Sequence, residues 1–510
     1  MAVVTVTAVT IVAAFVFYTT YRISYRLFFH PLAGFPGPRL TAATKCYEGY
    51  FDLLHRSGGQ FTQEIRRMHS IYGPVVRINP DEVSVNDPDF YEELYTSQQE
   101  VRDKHHSTAA ILGTTSGTFG TTDHHLHRKR KAANSPFFSV RNVSSAEPLI
   151  TTHVEKICQL FKADIGKVWQ LRVLFLALKL DIFFDYAFSG NLGLLQDPEL
   201  AQSWDETIQA IATCAPFVKM FPWILPYAMR LPTRLVHFFT PALARVLRLR
   251  ERIYEQAASF AENRIRGNDP EKTTHPRPKG IFQVLLESDL PQSEKSVDRI
   301  SQEGSEMFAA AGTTARIMTA AIFHLHETPY ALEALSKELE QAIPDASQIT
   351  AVKILKQLPY LNAVIKESLR IAAPVATRLP LIARKPIEYR EWTIPSGTPI
   401  SVNSRDLLHN KTIFPHPEEF VPERWLATGA DAIPDRYFVP FGRGARMCQG
   451  KDFAVSELQI TLATLIRRFC FEIVDTKRDR DVDAVRDCFL TETSPGSRGV
   501  KARVLKVNPT

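Results

Sequence analysis

Ten residues, Phe441-Gly442-Arg443-Gly444-Ala445-Arg446-Met447-Cys448-Gln449-Gly450, constrain this chain more than any other stretch. They fit F-x-x-G-x-R-x-C-x-G at all five fixed positions. At roughly one in twenty per position, a chance match in a chain of this length is on the order of one in ten thousand. The bland alternative is a buried structural cysteine in a glycine-rich loop. The six cysteines lie far apart and include no C-x-x-C pair, which argues against both a disulfide scaffold and a zinc finger and for reducing surroundings.

The 510 residues allow up to three domains or one large one. Hydrophobic residues at 45% and charged ones at 23% exclude disorder, and 23 Gly with 33 Pro exclude collagen. A net charge of +6 suits an acidic partner or a membrane surface and does not demand nucleic acid. Residues 2–21 carry no charge and, as a helix, measure about 30 Å, the thickness of a bilayer core. Arg22 and Arg26 follow, which orients the rest of the chain to the cytosol. A cleaved signal peptide would carry its positive charge at the other end. Residues 22–40 form a basic, proline-rich hinge in which Pro31, Pro36 and Pro38 stiffen an extended connector.

Residues 41–510 alternate helical patterns with short strand-like runs. Val75 to Asn79 and Val83 to Val85 read as a hairpin, as does Ile387 to Ile400 with Pro395-Ser396-Gly397 as its turn. Ser296 to Glu327 has no proline and predicts one helix crossing the whole domain, after a surface linker over Glu271 to Gly280. The expected fold is therefore mainly α with small β-sheets (α+β), a single large helical domain behind an N-terminal transmembrane helix.

In its cysteine loop the chain resembles the cytochrome P-450 family, and the resemblance runs from the proline hinge to that loop. It implies a haem b whose iron takes the Cys448 thiolate as axial ligand, the metal-binding residue. Gly444 would permit the turn, Gly450 would let the following helix approach the porphyrin, and that helix's amides would favour the thiolate. Phe441 would shield the sulfur and Arg446 would reach a haem propionate. Glu367-Ser368-Leu369-Arg370 and Pro422-Glu423-Arg424-Trp425 fit the family's structural triad of Glu367, Arg370 and Arg424, locking the core behind the loop. His127 and Lys131 stand where related chains have Trp and Arg facing the propionates, with Arg128 or Arg130 as substitutes and a solvated basic face as the bland alternative. The nearby histidines complete no zinc pattern.

The central helix departs from the family's A-G-x-D/E-T-T. Read without a gap, Ala310 replaces the glycine, Gly312 the acid, and Thr313 is the catalytic threonine that organises water for proton delivery. Thr313 and Thr314 alternatively bond back to helix carbonyls.

The hinge spelling, Phe137-Phe138-Ser139 and Pro-Glu-Arg-Trp look like fungal microsomal members of the family, the trichodiene oxygenase group among them. The resemblance thus implies a haem-thiolate monooxygenase of secondary metabolism. It would be anchored by one span in the endoplasmic reticulum membrane, take electrons from NADPH through a cytochrome P-450 reductase, and oxidise an apolar, terpenoid-like small molecule. A basic surface on the thiolate side would dock the reductase. The alternatives are a haem-thiolate isomerase or dehydratase working without O2, or a non-catalytic haem sensor. Phe217, Phe221, Trp223, Tyr227, Phe238 and Phe239, interleaved with Arg230, Arg234 and Arg245, either line a lipid-side entrance or pack the core. Asn142 and Asn410 head glycosylation patterns that a cytosolic domain leaves unmodified.

Overall fold

The computed structural model describes residues 2–96, 100–266 and 278–508. Most of the linker expected over Glu271 to Gly280 lies outside them. The helices that position the site are α1 (Ala2–Ser24), α2 (His124–Asn134), α3 (Leu171–Phe188), α4 (Pro198–Met220), α5 (Pro241–Ile265), α6 (Val297–Ala309), α7 (Ala311–Glu327), α8 (Pro359–Ala372) and α9 (Lys451–Arg468).

Helix α3 is apolar on all sides, as a helix at the centre of a core must be, and 15 of its residues are buried. Its two buried charges are matched: Lys179 pairs with Glu457 of α9, and Asp181 accepts from the amides of Leu194 and Leu195 at 3.0 Å each. Helix α7 packs along α3, while α5 packs on both α4 and α6. The core runs through α3, α7, α8 and α9.

Strands β1 (Val75–Asn79), β2 (Glu82–Val85), β3 (Arg102–Lys104), β4 (Leu381–Ala383), β5 (Ile387–Tyr389), β6 (Trp392–Ile394), β7 (Pro399–Ser401), β8 (Arg486–Cys488) and β9 (Leu490–Glu492) form small sheets. The largest has the order β1-β2-β7-β4-β3, with β2 and β7 parallel. A three-stranded sheet joins Val168–Gln170, Lys501–Val507 and Phe469–Val474. The fold is thus mainly helical with small sheets, as the sequence leads one to expect.

Two local features differ from the sequence reading. The turn of the second hairpin falls on Arg390-Glu391, because Ile387 pairs with Ile394 and Tyr389 with Trp392. Arg390 takes a left-handed φ of +53° there, while Pro395-Ser396-Gly397 instead leads β7 into the large sheet. The helix expected over Ser296 to Glu327 is broken at Ala310. No proline causes the break. At the break the backbone tightens to three-residue bonds, from the Ala310 amide to Met307 at 3.3 Å and from the Thr313 amide to Ala310 at 3.4 Å, and Thr313 Oγ1 also donates to the Ala310 carbonyl at 2.9 Å.

The proline hinge is stitched to the domain and does not hang free. Arg77, buried in β1, donates to the carbonyls of Arg26 at 2.9 Å and Leu32 at 3.2 Å, and its own amide donates to Pro36 at 2.7 Å. Gly37 has a φ of +152°, and a Cβ there would stand 2.6 Å from the Arg77 carbonyl oxygen, so only glycine fits. Helix α1 projects from this junction with its apolar side chains exposed, and it is long and apolar enough to cross a membrane. Asn142 points inward, donating to the Phe137 carbonyl at 3.0 Å and the Tyr186 hydroxyl at 2.9 Å.

Candidate active site

The cysteine loop is held from both ends. Gly442 and Gly444 each adopt a φ of +67°, a region costly for residues with a Cβ, and the backbone reverses through a short turn over Gly444–Arg446. The Cys448 amide then donates to the Phe441 carbonyl at 2.9 Å, and Gly450 caps α9. A Cβ on Gly450 would stand 3.7 Å from the ring of Phe138 and 4.0 Å from Cys448 Sγ, so the helix start lies directly beside the sulfur. Phe441 packs half-buried against the main core. Burial raises the Cys448 pKa, while the Gly450 amide and the charges of Lys131 and Lys179 pull it back.

Around the loop sits a buried cationic cluster. Lys131 Nζ donates to the carbonyls of Ala445 at 2.7 Å and Met447 at 2.9 Å, so it braces the loop itself. Arg446 donates to the carbonyls of Thr121 at 2.7 Å and Thr122 at 2.8 Å and leaves its buried Nε without a partner. Burial brings its pKa down to about 10. His127 is buried with Nδ1 unpartnered. Burial, followed by the charges of Arg446, Lys131 and Lys104, pushes its pKa down to about 2, which keeps it neutral. Lys104 of β3, absent from the sequence reading, reaches the Phe119 carbonyl at 2.9 Å and lies over that ring at 3.1 Å. Burial holds it well below the ordinary lysine value. Arg130 stands outside this cluster, paired with Glu294 at 2.7 Å, and Arg128 is exposed.

Behind the loop, Glu367 and Arg370 are fully buried on α8 and bonded at 2.8 and 2.9 Å. Arg424 Nε donates to Glu367 at 3.1 Å, as do Trp425 Nε1 at 2.9 Å and the Val421 amide at 3.0 Å. One carboxylate thus gathers five donor contacts from α8 and the Pro-Glu-Arg-Trp segment.

The family model for cytochrome P-450 matches residues 48–497. The chain belongs to the cytochrome P-450 family. It is 37% identical over 483 residues to a tryptophan 6-hydroxylase of Fusarium equiseti, covering 94% of this chain and 93% of that one. It is 37% identical over 496 residues to a cytochrome P-450 monooxygenase of Ascocoryne sarcoides, covering 95% and 96%. It is also 33% identical over 496 residues to an N-acetyltryptophan 6-hydroxylase of Emericella nidulans, covering 96% and 95%. This cytochrome P-450 is therefore an oxidoreductase of the monooxygenase class, a family whose cofactor is haem ligated by a cysteine thiolate.

The residues present fit that group. Two buried polar atoms without partners, His127 Nδ1 and Arg446 Nε, lie in a cluster rich in cations, and a dianionic ligand is what such a cluster lacks. The two propionates of haem supply that charge.

On the α6 and α7 side, Thr313 stands next to the helix break with its hydroxyl on Ala310. Gly312 is buried, and a Cβ there would lie 3.4 Å from Ile208 and 3.6 Å from Leu490. Both are walls of an apolar cavity of about 100 Å³, bounded also by Leu249, Arg250, Phe308 and Phe489. An acid at position 312 would point into these apolar walls. On the other side of the helix, a polar cavity of about 560 Å³ is lined by Arg172, Asp205, Arg316, Thr319 and Glu492. Arg316 pairs there with Glu492 at 2.6 Å and Arg172 with Asp205 at 2.7 Å.

A second buried acid escaped the sequence reading. Glu306 of α6 accepts from Thr114 Oγ1 at 2.7 Å and from the amides of Phe119 at 2.7 Å and Gly120 at 2.8 Å. Burial and the charge of Glu303 push its pKa up to about 7. A Cβ on Gly117 would stand 2.2 Å from its carboxyl carbon, so the loop is closed tightly around it.

Of the aromatic residues read as lining an entrance or packing the core, Phe217, Trp223, Tyr227 and Phe238 are exposed, and half-buried Phe221 lies tilted against Phe217 at 5.1 Å. The side chain of Phe239 lies outside the described residues. Leu225, between Trp223 and Tyr227, reaches within 3.0 Å of where a Gly113 Cβ would be, so this exposed apolar surface adjoins the loop that borders the cavity.

Proposed function

We propose that the enzyme hydroxylates an aromatic, indole-bearing secondary metabolite, with electrons drawn from NADPH through a membrane-bound cytochrome P-450 reductase. The observation that carries the reading is the Cys448 loop set beside His127, Arg446 and Lys104, where His127 Nδ1 and Arg446 Nε are buried without partners. The substrate assignment follows the two relatives named for tryptophan-type substrates and the aromatic walls of Phe308 and Phe489. It replaces the terpenoid expectation, which has no comparable support here.

When bound, haem supplies the activation of O2 and the insertion of one oxygen atom, and the protein supplies position and protons. Cys448 would ligate its iron, Gly450 leaves room beside the sulfur, and Phe441 would keep water from it. Arg446, His127 and Lys104 would hold its propionates, and Lys131 holds the loop carbonyls in place. Thr313 Oγ1 is the hydroxyl at the helix break through which a proton is relayed. Gly312 stands where the family pattern has a carboxylate, and the acids of the polar cavity, Asp205 of α4 and Glu492 of β9, are paired with Arg172 and Arg316.

Residues 2–21 form a single-pass anchor in the endoplasmic reticulum membrane, residues 22–40 the hinge fixed by Arg77, and residues 41–510 the catalytic domain on the cytosolic side. The exposed aromatics from Phe217 to Phe238 rest against the lipid surface. His125, Arg128, Lys129 and Lys451 are exposed on the thiolate side, where an acidic reductase would dock.

Coexpression with a fungal reductase tests the reading. Supplied with NADPH and N-acetyltryptophan or tryptophan, the enzyme should yield a product heavier by one oxygen atom. Conversion without NADPH would favour the isomerase reading, and conversion only of terpenoids would overturn the substrate assignment.

A further inference from the structure

Among the described residues, Arg250 is the one charged side chain lining the apolar cavity. It projects from α5, and its guanidinium makes only two long contacts, from Nη1 and Nη2 to the Gly113 carbonyl at 3.4 Å each. Among the described residues it forms no ion pair. The acid whose charge it feels, Glu306, is already bonded to Thr114, Phe119 and Gly120. Its neighbours on the helix are used differently: Arg245 donates to Thr207 at 2.6 Å, and Arg248 is exposed to solvent.

A guanidinium half-buried beside isoleucines, leucines and phenylalanines, held only by two long bonds to one carbonyl, keeps donors free to bind a ligand. The geometry matches a planar anion with two oxygens, which arginine binds bidentately. Burial lowers its pKa, in keeping with a cation that lacks a counter-charge. The remaining walls, including Ile111, Ile208, Leu249, Phe308 and Phe489, offer only apolar contact, and Ser305 has its hydroxyl turned back to the Ser301 carbonyl at 3.0 Å.

We infer that Arg250 is a carboxylate anchor, so that the substrate class is an apolar body bearing a free carboxylate, held acid-end at Arg250 and apolar-end between Phe308 and Phe489. This deepens the proposed hydroxylase function and rests on it. The anchor sets orientation: with the acid fixed on α5, the ring is turned toward the helix break at Ala310 and Thr313. Esters, amides and decarboxylated analogues lose the ion pair.

The test is a spectral titration of the haem-loaded, full-length enzyme, reading the Soret shift on ligand binding. The probes are two acid and methyl ester pairs, indole-3-propionate and decanoate, used on wild type, Arg250→Met and Arg250→Lys. Each variant is first checked for an unchanged reduced carbon-monoxide spectrum. Wild type should bind at least one acid about tenfold or more tightly than its ester. Arg250→Met should lose that preference while binding the esters as before, and Arg250→Lys should keep part of it. An acid preference confined to the decanoate pair would refute the indole assignment and leave the anchor standing. Equal or better binding of both esters by wild type overturns the anchor even if Arg250→Met fails to fold, and so does a preference that survives Arg250→Met.

Discussion

Thr313 Oγ1 donates to the Ala310 carbonyl at 2.9 Å, and this side-chain bond spans the break between α6 and α7. The hydroxyl is thus bonded to a helix carbonyl, and under the proposed function it also relays a proton. Thr313→Val removes it at nearly constant volume, whereas Thr313→Ser keeps it. Product formed per NADPH consumed should fall about tenfold or more in the valine variant and stay near wild type in the serine variant. The lost reducing equivalents should appear as hydrogen peroxide, measured in the same assay.

Glu367 offers a stability prediction. Its carboxylate faces two guanidiniums, from Arg370 and Arg424, in a fully buried setting. Glu367→Ala strands both cations and should destabilise the holoenzyme by about 3–5 kcal/mol. Arg424→Ala leaves the Glu367 and Arg370 pair intact and should cost less. Urea titrations followed by the Soret band measure the difference; equal losses would contradict a Glu367 and Arg370 pair that holds without Arg424.

The pH dependence of stability should carry the mark of Glu306. Its pKa of about 7 in the folded state stands above the ordinary 4.5, so the folded protein holds an extra proton between those values. Stability from this group is complete below about 4.5 and is lost as the pH rises through about 7. Glu306→Gln forfeits the bond from the Phe119 amide and lowers stability at acid pH, but it should abolish this component of the slope. Urea midpoints for both proteins between roughly pH 5 and 8 decide it. Parallel profiles would contradict the shifted acid.

Much of the site was legible because its spacing is local. The five fixed positions around Cys448 sit within ten residues, and Glu367 with Arg370 is one helical turn. Lys104, Glu306 and Arg250 were illegible because β3, α6 and α5 meet only in the folded chain. The break at Ala310 was hidden too, since no proline marks it. The misplaced hairpin turn has a similar origin: Pro395-Ser396-Gly397 is the stronger local turn signal, yet strand pairing put the reversal on Arg390 at a φ of +53°. The hinge was read as stiff from its prolines, but its stitching to Arg77 could not be seen from spacing.

Charge on the thiolate side should govern the reductase. Arg128 and Lys129 are exposed on α2, clear of the buried His127. Arg128→Glu with Lys129→Glu should raise the KM for reductase about tenfold at low salt, with kcat little changed, and the gap should close at high ionic strength. A salt-independent effect, or none, would place the docking surface elsewhere.

The central claim is that Cys448 ligates haem iron. Its most direct test is the reduced carbon-monoxide difference spectrum of membranes carrying the wild-type chain and Cys448→Ala. The account predicts a strongly red-shifted Soret band in wild type that is absent in the variant. A haem-loaded wild type without that band, or a band that survives the substitution, would contradict it.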